Sequence, residues 1–224
     1  MLVGEAVACG VRIQALFGLT DDVRGRALGE EAGVEYMTVS PEVLGKISTT
    51  DTPQSPVAVV DLPEASVAPG GRVLVAWGVG DPGNCGTLIR TAAAFGYSYL
   101  AGPGAADTWS PKVLRAASGG HFRTAIGEAP DLSEVRAGGR TLVATVSSGG
   151  APPGPLPADV AILVGSEPHG LPPDVVEMAD AAVTIPMEPG AESLNAAVAG
   201  AIVAYLGTTA DPETAPGQRA TRDG

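Results

Sequence analysis

Short apolar runs separated by Gly, Pro and polar residues recur along the chain, and their spacing predicts alternating short strands and helices. Over the first sixty residues the pattern predicts a helix from Leu2 to Ala8, a strand from Arg12 to Phe17 and a helix from Val23 to Ala32. Short strands from Glu35 to Val39 and from Val57 to Val60 follow. A first strand is expected before the opening helix, so the pattern is that of an α/β unit entered part-way, through truncation or reduction. The stretch Asp61 to Gly71 (DLPEASVAPGG) is rich in Pro, Gly and small residues and predicts a linker over 63–71. Beyond it, strands are expected at Arg72 to Trp77, Ser98 to Ala101, Thr124 to Ile126, Thr141 to Thr145, Ala161 to Gly165 and Ala182 to Ile185. Helices are expected at Gly86 to Phe95, Pro111 to Ser118, Pro172 to Ala179 and Leu194 to Leu206. Such alternation implies a mostly parallel sheet covered by helices. The sequence after Leu206, polar and without periodicity, predicts a disordered tail over 208–224. The expected organisation is a small α/β unit over 1–62, the linker, and a larger α/β domain over 72–207.

Composition narrows the core. Only 4% of the 224 residues are aromatic while Gly (31) and Pro (20) are frequent, so the interior must be built from Val, Leu, Ile and Ala between tight turns. No apolar run approaches the roughly 20 residues that span a bilayer, and the N-terminus lacks a secretory signal pattern, which points to a cytoplasmic protein. Cys9 and Cys85 lie far apart without metal-ligand spacing, so neither a shared role nor a metal site is expected. The formal charge of −12 opposes nonspecific binding to nucleic acid. The charge is uneven, however: from Pro82 to Gly127 four basic residues (Arg90, Lys112, Arg115, Arg123) face one acid (Asp107), a local balance of +3.

Gly78-Val-Gly80-Asp-Pro-Gly83 satisfies the G-x-G-x-x-G pattern of dinucleotide-binding turns between a strand and a helix. The next strand carries no Asp or Glu for a ribose hydroxyl and Pro82 sits inside the turn, so a nicotinamide or flavin site is rejected. Three other segments carry the candidate chemistry. The first, DPGNCGTLIRTAAAFG (81–96), reads as a strand-to-helix loop with Arg90 about one and a half turns inside the helix, near enough to share a site with Asn84; the plain alternative is a Gly-rich connector with a surface arginine. The second, ILVGSEPHGL (162–171), is an apolar strand ending in a loop with Glu167, at the place where parallel sheets bind ligands; Glu167 is equally read as a capping or solvated acid, and His169 as a loop histidine. The third, running from Val183 to Leu206, places Ser193 as the natural N-cap of an Ala-rich helix, which on its own is only a capped core helix.

In this order and separation the three segments resemble the three motifs of the SpoU (TrmH-like) methyltransferases of the SPOUT class. The segment Lys112 to Arg123 (KVLRAASGGHFR) is similar to the family's stretch between the first two motifs, and Ser48 to Asp61 (STTDTPQSPVAVVD) to its lead-in to the catalytic domain, so the resemblance covers roughly 45 to 206. It implies an α/β parallel-sheet domain with a C-terminal deep trefoil knot, working as a homodimer, and preceded by a small L30e-like domain. It implies S-adenosyl-L-methionine held near Thr145, Gly165, Ile185, Met187 and Leu194, with Asn84, Arg90, Glu167, Ser193 and Asn195 as the catalytic set. Methylation of a ribose 2'-hydroxyl in ribosomal or transfer RNA is the implied activity, with Arg90 engaging the hydroxyl. An arginine retains its proton up to a pKa above about 12, so Arg90 is expected to orient phosphate and ribose, with proton loss helped by the phosphate or the Ser193 surroundings. Lys112, Arg115 and Arg123 are the expected RNA contacts. The N-terminal unit departs from an RNA clamp: four basic residues against ten acids up to Glu64 give −6. A knotted cofactor- or RNA-binding protein without methyl transfer, or a methyltransferase acting on a non-RNA acceptor, are the competing readings.

Overall fold

The computed structural model describes residues 2–50, 52–62, 66–188, 190 and 193–208. The predicted tail from 209 onward, and 63–65 of the predicted linker, lie outside the described residues. The chain divides into two compact units, 1–64 and 65–224.

The first unit contains α1 (Leu2–Ala8), β1 (Ile13–Gly18), α2 (Val23–Ala32), β2 (Tyr36–Thr38), α3 (Pro41–Ile47) and β3 (Val57–Val60), with sheet order β2-β1-β3. β1 is parallel to β2 and antiparallel to β3. The Asp22 carboxylate caps α2 by accepting the Gly25 N–H at 2.7 Å, and Gly33 ends the helix in the left-handed region at φ 66°. Helix α3 was not expected from periodicity. Its seven residues carry too little apolar pattern, but Ser40 followed by Pro41 supplies an N-cap and first-turn proline.

The second unit contains β4 (Arg72–Ala76), α4 (Pro82–Phe95), β5 (Ser98–Ala101), α5 (Pro111–Ala117), a 3₁₀ turn (Gly120–Phe122), β6 (Ile126–Glu128) and α6 (Leu132–Val135). It continues with β7 (Thr141–Thr145), β8 (Val160–Val164), α7 (Pro173–Glu177), β9 (Ala181–Val183) and α8 (Ala196–Thr208). Its strands run in the order β6-β5-β4-β8-β7-β9 and every pairing is parallel. Alternate residues feed two cores. Leu74, Tyr99, Val143 and Ile162 face α4, α5 and α8, while Val73, Val75, Leu142 and Leu163 face α6 and α7. β8 (VAILV) is buried along its whole length, as the central strand of a sheet covered on both faces must be.

Three expectations change. Helix α4 begins at Pro82, four residues before the predicted start. The Gly/Pro content read as loop, but Asp81 accepts the Asn84 N–H at 2.8 Å and Pro82 occupies the first turn, where its missing N–H costs nothing. The described part of the predicted linker, 66–71, is bound to the second unit. The guanidinium of Arg140, 2% exposed, donates to the carbonyls of Ala68, Gly70, Gly71 and Val135, and the Gly71 N–H donates to Asp159. Helix α8 continues through Gly207 and Thr208, both buried, because the Thr208 hydroxyl donates to the Ala204 carbonyl and Gly207 lies against Leu156.

Asp180 ties the approach to β9 onto β7. Its carboxylate accepts the Leu142 N–H and an Arg136 N–H, each at 2.8 Å, and these two donors, the backbone one foremost, hold it below the usual carboxylate range. A lowered folded value adds stability above the unfolded pKa of about 4, and that stability is lost as pH falls through the folded value. Asp180→Asn is therefore expected to be less stable than wild type at pH ~7, with the gap closing below pH ~4. Urea midpoints for both proteins at the two pH values check this; a gap that stays constant refutes it.

Candidate functional site

The C-terminal ends of β7, β8 and β9 and the start of α8 surround a cavity of about 620 Å³, within the size range of small-molecule sites. Thr145 and Val146 enter from the end of β7, and the Thr145 hydroxyl donates to the Leu163 carbonyl at 2.9 Å. Gly165 closes β8 and leads into Ser166-Glu167-Pro168-His169-Gly170, a loop shut by reciprocal backbone bonds between Ser166 and Gly170 at 3.1 and 2.8 Å. Gly165 has no room for a side chain: a Cβ there would stand 2.3 Å from the carbonyl carbon of Gly170 and 2.4 Å from the Leu171 nitrogen. Ile185 and Met187 follow β9, and Ser193 and Leu194 precede α8. All five residues expected at the cofactor, Thr145, Gly165, Ile185, Met187 and Leu194, are on the wall. Val146, Leu171 and Val203 add apolar surface that sequence reasoning did not single out; for Val146 the available signal was its position directly after a parallel strand.

Three of the five expected catalytic residues meet at the cavity's edge. Asn84, buried in the first turn of α4, donates from Nδ2 to Glu167 Oε1. Asn195 donates from Nδ2 to the same oxygen at 2.6 Å and to Asn84 Oδ1 at 2.9 Å. Asn195 also replaces Ser193 as the cap of α8, since its Oδ1 accepts the Ala197 and Val198 N–H groups at 3.0 and 3.1 Å. Both residue types cap helices well, and Leu194 lies outside the first turn once the helix starts at Ala196. Ser193 stays on the wall of the cavity that Glu167 also lines.

Arg90 is not brought to the cavity within one chain. With α4 starting at Pro82 it lies more than two turns into the helix, six residues beyond Asn84, about 9 Å further along the axis and on a different face. Its side chain is exposed and it does not line the cavity. The 3₁₀ turn packs on it: a Cβ at Gly120 would be 3.1 Å from the Arg90 Cα. That turn follows Ser118, at φ 50°, and Gly119, at φ 88°. His121 within it is buried, with Nε2 on the Thr108 carbonyl at 2.8 Å and its ring against Trp109, and burial pushes its pKa down. Lys112 and Arg115 on α5 and Arg123 after the turn are exposed, on elements that pack against α4.

A family model described as the SpoU rRNA Methylase family matches residues 71–205. The chain is 36% identical over 181 residues to the 23S rRNA (guanosine(2553)-2'-O)-methyltransferase RlmP of Bacillus subtilis, an alignment covering 78% of this chain and 73% of that protein. Among solved structures, the SpoU methyltransferase AviRb from Streptomyces viridochromogenes in complex with AdoMet is similar with a TM-score of 0.80 and 26% identity, covering 93% of this chain and 87% of that one. The AdoMet-bound rRNA methyltransferase from Sinorhizobium meliloti gives 0.77 and 30%, covering 93% and 84%.

Proposed function

This chain belongs to the SpoU rRNA methylase family, and from that premise we propose that it transfers a methyl group from S-adenosylmethionine to a ribose 2'-hydroxyl of ribosomal or transfer RNA. The observation that carries the reading is the cavity at the strand ends with the Asn84–Glu167–Asn195 cluster at its edge. The wall suits the cofactor. Ile185, Met187 and Leu194 offer apolar surface for an adenine ring, and the Gly165–Gly170 loop offers backbone polar groups. When bound, S-adenosylmethionine supplies an electrophilic methyl group on a sulfonium. The chain's part is to hold the RNA hydroxyl in line with it and to draw off the proton. In this reading Arg90 orients phosphate and ribose, and proton loss is helped by the phosphate or by the surroundings of Ser193 on the cavity wall.

The homodimer belongs to this reading. Val198 and Tyr205 on α8 are half-exposed, and Phe95 of α4 meets Tyr205 in a tilted ring contact with centroids 5.6 Å apart, so α4 and α8 together present apolar surface. A trefoil knot in the C-terminal half is supported by the insertion of β8 between β4 and β7 and by the return of α8 onto α4 and β8, where Gly200 sits against Leu88 and Val164. The small first unit is assigned as L30e-like and cytoplasmic placement is retained; no described helix is long and apolar enough to cross a membrane.

Lys112, Arg115 and Arg123 form the RNA-contacting set. The double variant Arg115→Ala/Arg123→Ala is expected to weaken RNA binding and to flatten the slope of log K against log salt by about 0.7 to 0.9 per lost phosphate contact. Filter-binding titrations at several salt concentrations measure it, and an unchanged slope removes these residues from the interface. The function itself is tested by methyl transfer from radiolabelled S-adenosylmethionine to RNA lacking ribose methylation, with nuclease mapping of the label. Label at a 2'-O position supports the reading; cofactor binding with no label in any RNA replaces it with a knotted binding protein, the reading favoured by the acidic first unit.

A further inference from the structure

The two oxygens of the Glu167 carboxylate are held unequally. Oε1 accepts N–H groups from both Asn84 and Asn195, while Oε2 makes no hydrogen bond among the described residues. The amide orientations behind this are dictated by backbone. Asn195 Oδ1 is committed to two N–H groups of α8, so its Nδ2 turns outward to meet Asn84 Oδ1 and Glu167 Oε1; Asn84, having given its oxygen, presents its own Nδ2 to Glu167. Both contacts are amide N–H groups, so Oε1 serves as an acceptor to two donors at once. Glu167 lines the cavity together with Ser193, whereas Asn84 and Asn195 stand outside the lining.

Resting on the methyltransferase reading above, we propose that Glu167, through Oε2, receives the proton of the acceptor hydroxyl, and that Asn195 and Asn84 are positioning residues that hold the carboxylate for that task. Arg90 has no acceptor atom and keeps its proton. His169, the other titratable side chain on the wall, makes no hydrogen bond among the described residues that would fix its ring. In the step, the hydroxyl oxygen bonds to the transferred methyl carbon as the carbon–sulfur bond breaks, with that bond's electron pair kept by sulfur. The hydroxyl proton passes to Oε2 and from there to water, which restores the carboxylate.

Two variants of the full chain test this, each read by kcat and KM on RNA lacking ribose methylation, by calorimetric S-adenosylmethionine affinity and by thermal midpoint. Glu167→Gln is expected to lower kcat by about 10² to 10⁴, with cofactor affinity and KM within about threefold of wild type. Asn195→Asp keeps an oxygen for the α8 N–H groups but sets an acceptor against Oε1; it is expected to lower kcat about tenfold or more with an unchanged midpoint. A Glu167→Gln kcat within about threefold of wild type overturns the proton-acceptor role. Wild-type kcat in Asn195→Asp, or a midpoint that falls together with kcat, overturns the positioning role. Wild type that binds cofactor but methylates no RNA overturns the parent reading instead.

Discussion

Arg90→Ala is expected to reduce methyl transfer at least about 100-fold, the scale on which one preorganised donor acts on a transition state, while thermal midpoint and S-adenosylmethionine affinity stay at wild-type values. The separation follows from where Arg90 stands: its side chain is exposed, makes no hydrogen bond or ion pair among the described residues, and is off the cavity wall, so neither fold nor cofactor depends on it. Arg90→Lys is expected to fall nearly as far, because a single ammonium does not reproduce the planar two-pronged grip of a guanidinium on a phosphate. Single-turnover methyl transfer alongside calorimetry measures both. Near-normal turnover in Arg90→Lys would sink the two-pronged orienting role.

Gly165→Ala is expected to act on the other half of the site, lowering cofactor affinity by about 100-fold or more, with a fall in thermal midpoint. The added carbon would overlap the Gly170 carbonyl carbon, the Gly170 oxygen at 2.6 Å and the Leu171 nitrogen, all main-chain atoms that no rotamer change relieves. The Ser166–Gly170 loop must move, and with it one wall of the cavity and the seat of Glu167. Calorimetric affinity within about threefold of wild type would show that the loop is not a binding wall.

The central strands were legible because β4, β5, β7 and β8 are compact apolar runs between turn residues, and burial on both faces leaves such a run little else to be. What failed was local chemistry without periodicity. The start of α4 was hidden in Pro-Gly, α3 and α6 are seven and four residues long, and the cap of α8 passed from Ser193 to Asn195 because either side chain does the job. The three segments at the heart of the site were readable as a set, and Asn84, Glu167 and Asn195 do touch. Arg90 stays apart because six helical residues turn through about 240°, a rotation that appears only once the helix start is known. Membership of 66–71 in the second unit depends on Arg140, some seventy residues away, which no local pattern shows.

The position of β8 also governs the order in which the second unit can be completed. β4 is made early, yet its neighbour on one side is residues 160–164. Until those are synthesised, Val73, Leu74 and Val75 lack their β8 partners along one whole edge, and an unpaired apolar strand edge is a template for association with other chains. A chain stopped before residue 160 would therefore be a sticky fragment and not a smaller working domain, and assembly that waits on such distant partners is intrinsically slow.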